Sequence, residues 1–104
     1  MSELVTELTV DQAQPYEPEF LLYLYKRMVF IREFEEGVKF LFLEGSMPGT
    51  IHQCQGQEAT AVGVCAALDE DDQITSTFRG HGHALAKGLS PEEMLFELYG
   101  ASTG

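Results

Sequence analysis

Apolar residues recur along the first half of the chain at steps of three and four. Leu21, Leu24, Met28, Ile31, Phe34, Val38 and Leu41 fall on one face of a helix running from Pro18 to the Gly45 stop. Pro18 suits the first turn, and Glu19 sits at the positive end of the helix dipole. Leu22, Tyr25, Val29, Phe30 and Phe42 widen the stripe beyond an ordinary amphipathic helix. Such a helix needs covering on more than one side. Glu35 and Lys39 are spaced as an i,i+4 pair on its polar edge. The turn Ser46-Met47-Pro48-Gly49 follows.

Gly56 opens a second predicted helix, QEATAVGVCAAL, whose Ala59, Ala61, Gly63, Ala66 and Ala67 permit close backbone approach. Asp69–Asp72 closes it, and Ile74–Phe78 reads as a short β-branched and aromatic strand. Arg79-Gly80-His81-Gly82-His83 is a loop leading into a short helix, Ala84–Lys87, stopped at Gly88. The last predicted helix, Pro91–Tyr99, begins with Ser90 as cap, Pro91 in the first turn and Glu93 three residues after the cap, and Gly100 ends it. A lone strand cannot satisfy its own backbone groups. The inventory of about four helices and one strand therefore points to part of a larger α/β assembly. Residues 1–17 are acidic and aperiodic and are expected to form a flexible arm.

The 104 residues carry a net charge of −11, which argues against nucleic-acid or anionic-membrane partners. No apolar run is long and uninterrupted enough to span a bilayer, and the N-terminus lacks a basic start and an apolar core of a secretory signal. A soluble, cytoplasmic protein is expected. Cys54 and Cys65 are not spaced as a metal pair, and Cys65 falls on the apolar side of its helix as a buried thiol.

The candidate chemistry lies between Gly49 and Gly88, which hold all three histidines. His52, His81 and His83 could supply three imidazoles to a zinc ion, although the glycine between the last two makes a flexible chelate. A Cys–His nucleophile pair is a weaker alternative. Anion binding is the third: Arg79 follows the predicted strand directly, its planar fork matches phosphate oxygens, and Phe78 supplies a ring beside it. Arg79 paired with an acidic neighbour on the surface is the bland counterpart. His52 is either a satisfied loop histidine or a proton donor and acceptor near neutral pH, and Glu58 caps its helix or stabilises the dipole.

Four pieces in order, YKRMVFIREFEEGVKFLFLEG, PGTIHQCQGQEATAVGVCAAL, DDQITSTFRGHGHALAKG and SPEEMLFELYG, cover almost everything from Phe20 to Gly100. In sequence and spacing they resemble the alpha subunit of the thiamine-diphosphate-dependent first component of 2-oxo-acid dehydrogenase complexes, pyruvate dehydrogenase above all, and of the related acetoin dehydrogenase. The resemblance implies a doubly wound, parallel-sheet α/β fold that binds thiamine diphosphate, with residues 18–104 an incomplete N-terminal part of that domain. It implies an oxidoreductase that decarboxylates a 2-oxo acid, pyruvate first and acetoin as the alternative, with acyl transfer to a lipoyl acyltransferase component.

By the same resemblance Phe78 and Arg79 contact the cofactor, the arginine at its diphosphate. His52 is the catalytic histidine near the thiazolium, and His81 and His83 belong to the active-site loop. The family has tyrosine or histidine where this chain has Phe78, so one hydrogen bond to the cofactor is missing. The magnesium ligands, a GDG motif and a downstream asparagine, belong to a segment after ASTG and are absent from these residues. The acid that activates the aminopyrimidine comes from a beta subunit, the partner in a heterotetramer. The chain by itself is therefore expected to be inactive, and a non-catalytic docking module for a beta subunit is the competing class.

Overall fold

The computed structural model describes residues 16–49, 51–77 and 80–104. Four helices occupy them: α1 Pro18–Leu43, α2 Glu58–Ala66, α3 His81–Lys87 and α4 Pro91–Leu98. Most of the expected arm, residues 1–15, lies outside the described residues.

α1 begins where the sequence predicts. Pro18 occupies the first turn, and the Glu17 carbonyl accepts from the backbone N–H of Phe20 and Leu21 at 3.0 and 3.1 Å. It ends at Gly45, whose φ of +83° is a left-handed conformation that glycine adopts without steric cost. α2 starts two residues later than Gly56, because Gln55 and Gly56 form a turn with Gly56 at φ +89°. α3 starts three residues earlier than expected, taking in His81, Gly82 and His83. α4 starts on the Ser90 cap: the Ser90 hydroxyl oxygen accepts from the Glu93 N–H at 3.1 Å.

α1 packs against α2 and α3, α2 packs against α3, and α4 is joined to the group through α3. Ile31, Val62, Leu85 and Met94, one buried residue from each helix, make the core. Arg27 of α1 donates to the Leu85 carbonyl at 2.7 Å, supplying a cation to carbonyl groups near the end of α3. The other side of α1 is left uncovered: Leu22, Tyr25, Phe40 and Leu43 are all more than half exposed. The girth of apolar residues that asked for covering on several sides is covered here on one.

The predicted strand is not present in residues 74–77, which have no regular secondary structure, and Phe78 lies outside the described residues. A strand holds its shape by exchanging hydrogen bonds with another, and the described residues contain no second one. Thr75, Ser76 and Thr77 are exposed and only Ile74 is half-buried. The described part of the chain is helical, in place of the one-strand arrangement expected. None of its helices is long and apolar enough to cross a membrane.

Candidate active site

The site begins with a carboxylate in an unexpected place. Glu35 is completely buried on α1, between Ile31 and Val38 on the same face. The i,i+4 pair with Lys39 on a polar edge is therefore corrected: the carboxylate turns inward and its partners come from two other segments. Its Oε2 accepts from the Cys54 backbone N–H at 3.2 Å. Its Oε1 lies 2.8 Å from Nδ1 of His81, the first residue of α3. The Gln53 side-chain amide also donates to the Glu35 backbone carbonyl. One residue thus joins the loop carrying His52 to the segment that follows Arg79.

Two more contacts set the same joint. Gly82 is buried where a Cβ would meet Cys54 Sγ at 2.3 Å and Cys54 Cβ at 2.8 Å. Only glycine lets the first turn of α3 lie that close to the loop. On the other side of the loop, Arg32 of α1 grips Glu58, Nε to Oε2 at 2.8 Å and Nη2 to Oε1 at 2.9 Å. Glu58 Oε2 also accepts from the Gly56 N–H at 2.9 Å, so the residue caps its turn, as its position in the sequence suggests, and pairs across helices as well. The Arg32 hydrogen bond, helped by the Gly56 N–H and opposed by burial, pulls the Glu58 carboxyl from 4.5 to about 2. Glu58 in turn raises Arg32.

The sequence-derived candidates are distributed unevenly around this joint. His52 is exposed on the loop that Glu35 holds through Cys54. His81 is held by Glu35, with 14% of its side chain exposed. His83 turns elsewhere, its Nδ1 hydrogen-bonded to the Ser76 hydroxyl while its carbonyl faces Cys65 Sγ at 3.9 Å. Residues two apart on a helix project to different sides, and the structure does not bring His81 and His83 to one point. Among the described residues no group of three His, Cys, Asp or Glu is arranged to hold a metal ion, so the zinc arrangement of His52, His81 and His83 is not formed. Phe78 and Arg79 lie outside the described residues. Among the described residues, Ile74, Ser76, Gly80, His83 and Lys87 line an open cavity of about 530 Å³.

The cysteines exchange roles relative to expectation. Cys54, which the sequence left open, is fully buried, and Cys65 is the half-buried one. Glu35 is the residue that sequence reasoning missed. Its signal was present: the buried residues Ile31, Glu35 and Val38 follow a four-then-three step, so a charge stands on the apolar face.

Residues 26–104 match the family described as Dehydrogenase E1 component. The chain is 50% identical over 86 residues to the alpha subunit of acetoin:2,6-dichlorophenolindophenol oxidoreductase from Bacillus subtilis, a stretch covering 83% of this chain and 26% of that protein. To the protein of the same name from Cupriavidus necator it is 45% identical over 92 residues, 88% of this chain and 28% of that one. To the pyruvate dehydrogenase E1 component subunit alpha of Porphyra purpurea it is 42% identical over 84 residues, 81% of this chain and 24% of that one. The chain spans about a quarter of the length of these relatives. With the match running from the middle of α1 through every later element of the joint, the chain belongs to the dehydrogenase E1 component family.

Proposed function

We propose that this chain supplies the N-terminal part of an E1 alpha subunit and, joined to the remainder of that subunit and a beta subunit, forms one wall of a thiamine-diphosphate site that decarboxylates a 2-oxo acid. One observation carries the reading. The Glu35 carboxylate draws the His52 loop and the segment after Arg79 onto one face of α1. These are the two segments that the family resemblance gives to the cofactor and the substrate. In the assembled protein the exposed faces of α1 and residues 74–78 would be completed by the doubly wound parallel sheet, residues 18–104 being one part of that domain.

Among the described residues no donor set fits magnesium, so no step is assigned to a metal. The organic cofactor fits better, since a guanidinium, Arg79, immediately precedes the tightly held Gly80–Gly82 turn, with Phe78 adjacent for its ring. When bound, thiamine diphosphate supplies the carbanion chemistry. This chain's own part is to hold the diphosphate through Arg79, to wall the pocket with Phe78, and to place His52 for proton handling.

Pyruvate is the first substrate proposed, with the acyl group passed to a lipoyl acyltransferase component. Acetoin is the second. Two relatives named for acetoin share 50% and 45% identity with this chain, against 42% for the alga's pyruvate enzyme. Reconstitution decides between a split enzyme and a docking module. The chain is mixed with a polypeptide carrying the rest of the alpha subunit, a beta subunit, thiamine diphosphate and magnesium, and dye reduction is followed with pyruvate and with acetoin. Activity that depends on this chain is expected, and a docked but inactive assembly overturns the reading. The chain alone is expected to bind the cofactor too weakly for a calorimetric signal at micromolar concentration.

A further inference from the structure

We infer that Glu35 is a positioning residue that fixes His81 with its proton on Nδ1 and presents Nε2 as the ring nitrogen open to a ligand. The direction of the hydrogen bond follows from the other end of the carboxylate. Oε2 accepts the Cys54 N–H, so the side chain already serves as an acceptor at that oxygen. An ionised carboxylate can only accept, so the 2.8 Å contact on Oε1 is an Nδ1–H donating. The neutral ring then carries its lone pair on Nε2.

Three features make this arrangement rigid. Glu35 has no exposed surface, so water does not compete for its oxygens. Gln53 ties the Glu35 backbone from the loop side. Gly82, immediately after His81, is pressed against Cys54, which prevents α3 from sliding along the loop. The ring itself keeps 14% of its surface exposed, and among the described residues no second hydrogen bond occupies it.

A carboxylate behind an imidazole does two things for chemistry. It selects the tautomer, and it stabilises the imidazolium after a proton arrives at the far nitrogen. Nε2 is therefore suited to accept a proton from an O–H or N–H of a bound ligand and to return it. That use by the cofactor–substrate pair rests on the function proposed above, whereas the tautomer assignment does not.

Long-range proton–nitrogen NMR correlation on the nitrogen-15-labelled chain, at a pH where the imidazole is neutral, reads the tautomer without cofactor or partner. Nδ1–H is expected for His81 in the native chain, and a His81 Nε2–H form overturns the inference at once. Glu35→Gln supplies the second arm. An amide has one acceptor for two N–H donors, so with its oxygen on Cys54 its NH2 faces Nδ1 and drives the proton to Nε2. A shift toward the Nε2–H form at unchanged helical circular dichroism is expected. An unchanged Nδ1–H spectrum in a folded Glu35→Gln chain refutes the role. If Glu35→Gln unfolds, the native tautomer alone decides. Failure of the reconstitution with the native Nδ1–H form intact would reject the proposed function and leave this assignment standing.

Discussion

Arg32 and Glu58 meet in a two-pronged ion pair, 2.8 and 2.9 Å, that fastens α1 to the first turn of α2. The two partners differ in setting: the guanidinium side chain is 46% exposed, the carboxylate 6%. Water screens the pair from the arginine side, while the glutamate has almost no solvent to fall back on. The energetic weight of the contact therefore lies with Glu58, which must keep both its arginine and its Gly56 N–H to remain ionised in place.

A pH dependence follows. Unfolding returns the Glu58 carboxyl from about 2 to 4.5, so the unfolded chain binds the proton more readily. Its contribution to stability is fully present above about pH 4.5 and drains away as the pH falls through about 2. Urea unfolding between pH 7 and 2 should show this loss, and Glu58→Gln should flatten it while lowering stability at pH 7 by about 1–3 kcal/mol. An identical pH slope in the two chains would show that Glu58 titrates alike folded and unfolded.

Two glycines make a matched pair of tests. At Gly82 a methyl group would overlap Cys54 at both Sγ and Cβ, and Cys54 is itself fully buried with nowhere to retreat. Gly82→Ala should cost about 1–3 kcal/mol, the usual penalty of overpacking. At Gly63, in the exposed middle of α2, an added Cβ meets nothing within 4 Å. Gly63→Ala should instead gain about 0.5–1 kcal/mol from helix propensity. Opposite shifts of the urea midpoint at constant slope are the expected readout.

Ser90 offers a local test. Its hydroxyl oxygen takes one of the unpaired N–H groups at the start of α4, that of Glu93. Ser90→Ala should destabilise α4 by about 1 kcal/mol. Of the other helices α4 packs mainly against α3, so the loss should appear first as faster amide exchange at Glu93 and Met94. Uniformly faster exchange across α1 would instead place α4 inside the global folding unit.

Much of this arrangement was legible in the chain, and the exceptions share a cause. The long helix, its proline start, the Ser90 cap and the Gly45 and Gly100 stops are written in local chemistry: a side chain that caps, a φ that only glycine takes comfortably, a period of three and four. What a strand needs is another strand, and Ile74–Thr77 has the composition of one while the described residues hold no partner that would give it a ladder. Glu35 was misplaced for a related reason. Its spacing to Lys39 satisfies a rule about one helix, but its carboxylate answers to Cys54 and His81, 19 and 46 residues away. Arg32 and Glu58, 26 residues apart, escaped notice in the same way. Pairings across elements cannot be read from a period within one.

The cysteines test whether the joint around Glu35 is held as tightly as its contacts imply. Cys54 is fully buried against Gly82, while Cys65 is only partly covered on α2. A thiol is modified as the thiolate and only when a reagent can reach it. Cys65 should react with an aromatic disulfide reagent first, and Cys54 should wait for an opening of the loop away from α3. Glu35→Gln replaces the charged acceptor facing His81 with a neutral amide donor and so weakens the link between the loop and α3, which should speed modification of Cys54 at least several-fold and leave Cys65 unchanged. Denaturant should abolish the difference between the two thiols. Equal native rates, or acceleration at both cysteines in Glu35→Gln, would mean that the carboxylate acts on the whole fold and does not hold one hinge between His52 and His81.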